Sequence, residues 1–122
     1  MSAFTGAELA YLAAGDKLGR LATVDPDGTP HVVPLGWNYN PQHNTIDIGG
    51  RDFAATRKFI NARANPAVGF VVDDVLPPWQ PRAVQVRGHA EALDEATWPD
   101  GAPRGAIIRI TPTRVVSWGL EG

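Results

Sequence analysis

The chain has 122 residues, 43% of them hydrophobic, and a net charge of −2. That length suits one domain spanning residues 1–122, with a real core but reason to lean on a partner. The charge lends nothing to nucleic-acid binding, the lack of cysteine excludes disulfides and thiolate metal sites, and His31, His43 and His89 have no metal-ligand spacing.

The opening stretch MSAFTGAELAYLAAG has no basic leader and no long apolar run, so neither a signal peptide nor a membrane span is expected. A soluble, cytoplasmic protein is the expectation. TGAELAYLAAG predicts a short helix that Thr5 caps, Glu8 completes as a capping box and Gly15 ends. LGRLATV is a first strand, and DPDG a strong turn signal. PHVVPLGW returns as a second strand. Pro30 and Pro34 restrict it to a sheet edge or a bulge, because proline donates nothing to a ladder.

NYNPQHN reads as another turn. TIDIGG is a third strand, with Ile46 and Ile48 on one face and Thr45 and Asp47 on the other. DFAATRKFINARAN is a second helix, started by Asp52 or Thr56 and stopped by Pro66. AVGFVVDD, an unbroken apolar run, predicts a well-buried central strand. VLPPWQP is a rigid connection, and RAVQVRGHAEAL sets Ala83, Gln85 and Arg87 against Val84 and Val86. DEATWPDGAPRG reads as a polar loop or short helical turn, and AIIRITPTRVVSW as a long last strand bent at Pro112. Six strands, short flanking helices and hairpin turns predict a mainly β fold, a small six-stranded antiparallel barrel.

The segment GGRDFAATRKF holds the most chemistry. Gly49 and Gly50 free the backbone at a strand end, while Arg51, Arg57 and Lys58 gather positive charge near a helix start. Helix-start N–H groups and cations together suit a phosphate. A solvated basic face explains the pattern equally well, since Arg57, Lys58 and Asn61 share one sector of a helical wheel. Cations oppose the dipole at a helix N-terminus, which favours a bound anion.

Four tryptophans form a second candidate set. Ordinary packing suits Trp37 and Trp98, whereas Trp79 and Trp118 could stack on a planar ring or wall a pocket. His31 could donate a proton or touch a ring, though an edge-strand histidine is more often a polar surface residue. Arg82 and Arg87 could reach a substrate or an acidic cofactor tail, and an ordinary salt bridge explains them as well. The acidic stretches DPDG and DEAT read as a turn and a helix start rather than as a catalytic pair.

In order, LGRLATVDPDGTPHVVPLGW, GGRDFAATRKFINARANPAVGFVVDD, RAVQVRGHAEAL and ITPTRVVSW resemble the pyridoxamine 5′-phosphate oxidase-like, flavin-binding split β-barrel superfamily. Within it, the chain is most similar to the short actinobacterial branch that uses the deazaflavin coenzyme F-420. The resemblance runs along nearly the whole chain after Gly15. It implies that Thr56, Arg57 and Lys58 hold a cofactor phosphate, joined by Arg51, and that His31, Val32, Val33 and Pro34 run beside the ring. It also implies a homodimer with the cofactor site at the interface, to which Trp79 and Trp118 would belong. The oxidase branch has an Arg and a Lys where His31 and Gly36 stand here, and a glutamine where Ala83 stands. These departures count against pyridoxamine phosphate oxidation and leave FMN open as the alternative to F-420. The implied activity is hydride transfer from reduced F-420 to an unsaturated or conjugated small molecule. A non-catalytic cofactor-binding protein is the reading from another class.

Overall fold

The computed structural model describes residues 3–97 and 100–120. In chain order the elements are α1 (Gly6–Ala13), β1 (Gly19–Val24), β2 (Pro30–Leu35), β3 (Asn38–Asn40) and β4 (Thr45–Gly49). A 3-10 turn (Phe53–Ala55), α2 (Arg57–Ala64), β5 (Ala67–Leu76), β6 (Gln80–Thr97) and β7 (Pro103–Trp118) follow.

α1 forms as its residues dictate. Thr5 Oγ1 accepts from the Glu8 N–H at 3.1 Å, and Glu8 returns a carboxylate oxygen to the Thr5 N–H at 2.8 Å. Gly15 ends the helix with a φ of 70°. The β1–β2 turn is fixed by Asp25, whose carboxylate accepts the amides of Asp27 and Thr29 at 3.2 and 3.0 Å. In the β3–β4 turn Asn40 does the same for Gln42 and His43.

The strands make one antiparallel sheet in the order β2-β1-β5-β6-β7-β4-β3. Two sequence expectations are corrected here. Among the described residues there are seven strands rather than six, because the stretch read as a turn contains β3, which pairs with β4. Hydrogen bonding does not close the barrel, since β2 and β3 are the two edges of the sheet. β2 is the edge strand that its two prolines required.

β5 is internal but buried on one face only. Val68, Phe70 and Val72 point into the core, while Gly69 and Val71 remain half exposed. DEATWPDGAPRG is mostly not a loop: β6 runs on to Thr97 and β7 starts at Pro103. Trp98 falls outside the described residues. β7 does deform at Pro112. Arg87 faces Arg114 and Gly88 faces Pro112, so Thr113 is the extra residue of a bulge.

The core sits between the concave face of the sheet and α2. Leu21, Ile46, Ile48, Phe59, Val72, Val84, Val86, Ile108 and Ile110 are at most 1% exposed. Burial of each such side chain contributes about 1.5–3 kcal/mol. Asp47 is also fully buried, and four hydrogen bonds compensate it. Thr45 Oγ1 and Asn40 Nδ2 donate at 2.8 Å each, and Arg109 donates through two nitrogens at 3.2 Å. This cluster ties β3, β4 and β7 together beneath the strand that delivers the candidate site.

Candidate functional site

β4 ends at Gly49, and Gly50 follows it. A Cβ on Gly49 would lie 3.2 Å from the Ile107 methyl and 3.4 Å from the Ala106 carbonyl oxygen, so β7 leaves little room for a side chain there. Arg51 then stands exposed. Asp52 adopts the left-handed conformation with φ 50° and ψ 39°, which aspartate tolerates. That reversal opens the 3-10 turn, and buried Phe53 anchors it.

Of the two helix starts open in the sequence, Thr56 is the cap of α2. Its Oγ1 accepts from the Phe59 N–H at 3.4 Å and donates to the Phe53 carbonyl at 2.7 Å. The hydroxyl hydrogen is therefore already used, and Thr56 shapes the turn. The amides of Arg57 and Lys58, the first two of the helix, have no acceptor among the described residues and point out along its axis.

Arg51, Arg57 and Lys58 form no ion pair among the described residues, whereas Arg20, Arg63, Arg82 and Arg109 each pair with an aspartate. Lys58 Nζ lies 5.4 Å from the centroid of the Phe53 ring. Beside the turn is a cavity of about 440 Å³, lined by residues that include Gly50, Phe53 and Gly105. One part of the sequence reading fails. Asn61 does not share the polar sector of Arg57 and Lys58. It is fully buried, donating Nδ2 to Thr23 Oγ1 at 3.3 Å, and its Oδ1 has no partner among the described residues.

Thr23 is also the cross-strand neighbour of His31, so the start of β2 lies beside α2. His31 Nε2 sits 2.9 Å from Asp25 Oδ2. Hydrogen bonding with the Asp27 side chain, then with His31, holds the Asp25 carboxyl well below the usual carboxylate range. The chain pattern already held this pair: Asp25 and His31 flank one tight turn and lie diagonally across the hairpin, since Asp25 stands opposite Thr29 and His31 is two residues further along β2. His31 and Val33 face the sheet's concave side, while Val32 (68% exposed) and Pro34 face outward, leaving the backbone edge of β2 unpaired.

Trp79 and Trp118 are not brought to this turn within one chain. Trp118 pairs with Ala83 and Trp79 caps the β5–β6 hairpin, at the end of the sheet that carries α1. The far end of β6 receives α2, where Arg63 reaches the Ala92 carbonyl. Trp37 packs against Phe70 with its Nε1 donating to the Lys17 carbonyl, an ordinary core role. Arg82 makes a two-pronged bond to Asp74, which also accepts from Tyr11. Arg82 is thus the salt bridge rather than a ligand contact.

The antiparallel sheet ends one strand on Gly49 and follows it with a cationic helix start, an arrangement whose chemistry suits an anion. The chain belongs to the pyridoxamine 5′-phosphate oxidase family, which residues 5–119 match. It is 45% identical to a 5a,11a-dehydrotetracycline/5a,11a-dehydrooxytetracycline reductase of Streptomyces rimosus, over 98% of this chain and 85% of the relative. Among solved structures, an F420 reductase is 28% identical with a TM-score of 0.64, covering 87% of this chain and 94% of that one. A conserved protein of Mycobacterium tuberculosis shares the fold with a TM-score of 0.74 at 23% identity, over 97% of this chain and 86% of that one.

Proposed function

We propose that this chain is an oxidoreductase that uses reduced coenzyme F-420 to transfer a hydride to an unsaturated or conjugated small molecule. The observation that carries the reading is the start of α2, where two amides lack an acceptor and three nearby cations lack a counter-charge among the described residues. Such a cluster suits a phosphate. Without an anion, each cation in that first turn destabilises the helix by about 0.3–1 kcal/mol. The reductase of dehydrotetracyclines at 45% identity and the F420 reductase at 28% support both the reaction type and a conjugated substrate.

The bound deazaflavin supplies the hydride. The chain's own residues bind and orient. Arg51, Arg57, Lys58 and the α2 amides hold the phosphate on a turn shaped by Thr56. His31, Val32, Val33 and Pro34 run beside the ring along the open edge of β2, and water or His31 returns the proton. A homodimer completes the site. Trp79 and Trp118, 75% and 48% exposed, would then wall the cofactor of the second copy. Among the described residues no helix is long and apolar enough to cross a membrane.

FMN is the second reading, favoured by the same observation, because its phosphate fits the same cluster. A non-catalytic flavin- or deazaflavin-binding protein is the third, and turnover separates it from the enzyme. Titration of the protein with F-420 and with FMN, followed by tryptophan quenching, tests the assignment. Micromolar binding of F-420 is expected. Micromolar binding of FMN alone would overturn the cofactor choice, and binding of neither would overturn the site. Sedimentation velocity tests the dimer.

A further inference from the structure

α2 rests on the sheet through few side chains. Of its eight residues only Phe59, Asn61 and Ala62 are buried, and one of those three is polar. The rest of its anchorage is shallow. The Thr56 cap reaches the Phe59 amide only at 3.4 Å. Arg63 meets Asp94, but the two side chains are 52% and 72% exposed, and such a pair adds little. A helix this short is marginal in isolation, so its packing has to hold it.

Two features oppose that packing. Asn61 is buried against β1 with its Oδ1 lacking a partner among the described residues. A buried acceptor left unmatched forgoes the hydrogen bond that water would give it in an open state. Arg57 and Lys58 occupy the first turn, where cations oppose the helix dipole. Both penalties are relieved when the helix unwinds and lifts from β1. The chain on either side stays tied. Phe53 is seated in the core before the helix, and the Ala90 N–H donates to the Pro66 carbonyl at 2.8 Å after it. The segment between them can therefore open while the sheet stays intact.

We propose that α2 is a latch. In the free chain it opens from β1 on its own, a phosphate-bearing ligand seated on its first turn closes it, and the Asn61–Thr23 pair sets the balance. The proposal rests on the reading of the α2 start as a phosphate site. The bound anion offsets the charge penalty but not the stranded Asn61 oxygen, which keeps the latch able to reopen for release.

Native-state hydrogen exchange on the full chain tests it, with inorganic phosphate, FMN and F-420 as separate probes. The Ile60 and Asn65 amides, bonded to the Thr56 and Asn61 carbonyls, report on α2. In the free chain they should exchange about 100-fold faster than the Val84 and Val86 amides of β6, at rates unchanged by urea below the unfolding transition. A saturating probe should slow them about tenfold or more. Asn61→Leu combined with Thr23→Val replaces both partners by apolar groups of the same branching and should slow α2 exchange about 5- to 100-fold. Thr23→Val alone strands Nδ2 as well and should speed it. Exchange of α2 only together with β6, with the full urea dependence, would overturn the proposal, because α2 would then open only on global unfolding. A probe that binds without slowing α2 would overturn the latch and leave the phosphate site standing. Failure of every probe to bind, read directly by titration, would remove the site and the latch together. Faster α2 exchange in the double variant would show the pair to be an anchor and overturn the balance assigned to it.

Discussion

Arg57→Ala should move stability and ligand affinity in opposite directions. Arg57 is exposed at the first position of α2, makes no ion pair among the described residues, and faces the positive end of the helix dipole. Removing its charge relieves about 0.3–1 kcal/mol of unfavourable interaction. Alanine and arginine differ little in helix propensity, so that relief is not offset. For a domain of this length, Tm should rise by about 1–4 °C at low salt, and the gain should shrink as salt screens the dipole. Affinity should respond the other way. Loss of a charge-assisted contact to a phosphate amounts to about 1.5–3 kcal/mol, or about 10- to 150-fold in Kd. Thermal melts of the free protein and tryptophan-quenching titrations with F-420 and FMN measure the two arms. A variant that is less stable and binds both cofactors unchanged would refute the reasoning, because Arg57 would then be a structural surface residue.

Asp47→Ala strands Arg109 and removes the acceptor of Thr45 and Asn40, so it should destabilise by about 3–5 kcal/mol in urea unfolding. Thr56→Ala should lower stability by about 1 kcal/mol through loss of the cap, and Thr56→Ser should restore it. Hydrogen bonding from Arg82, with help from Tyr11, lowers the Asp74 carboxyl below its usual range. Its contribution is therefore present above the ordinary carboxylate value of about 4 and is lost as pH falls through the depressed folded-state value. The urea midpoints of the wild type and Asp74→Asn should differ at pH 7 and converge in strong acid. Gly88→Ala should destabilise by about 1–3 kcal/mol, because its Cβ would press on the Ile110 methyl and lie 2.8 Å from the Thr111 carbonyl oxygen.

Much of the fold was legible from local chemistry. The capping box of Thr5 and Glu8, the DPDG turn and the edge position of β2 each rest on residues within a few positions of one another. The reach of β6 was not legible. Asp94 and Glu95 have poor local strand preference, and the strand runs through them because Leu93 on one side and Ala96 and Thr97 on the other pair with β7. β3 escaped for the same reason. Its three residues offer no period to read, and pairing with β4 defines it.

The candidate site divides along the same line. Its cations, glycines and capping threonine lie within ten residues, so the chain pattern alone located the turn. Which helical residues turn inward depended on where β1 lies. Asn61 looked like part of a polar face until Thr23 met it from across the sheet. Arg82 and Arg87 looked alike in sequence, yet Asp74 on the neighbouring strand neutralises one and nothing described neutralises the other. Local sequence can announce a charge, a cap or a turn because those need only near neighbours. Whether a charge is paired, buried or free depends on strands that are distant in the chain, and only the folded sheet brings them together.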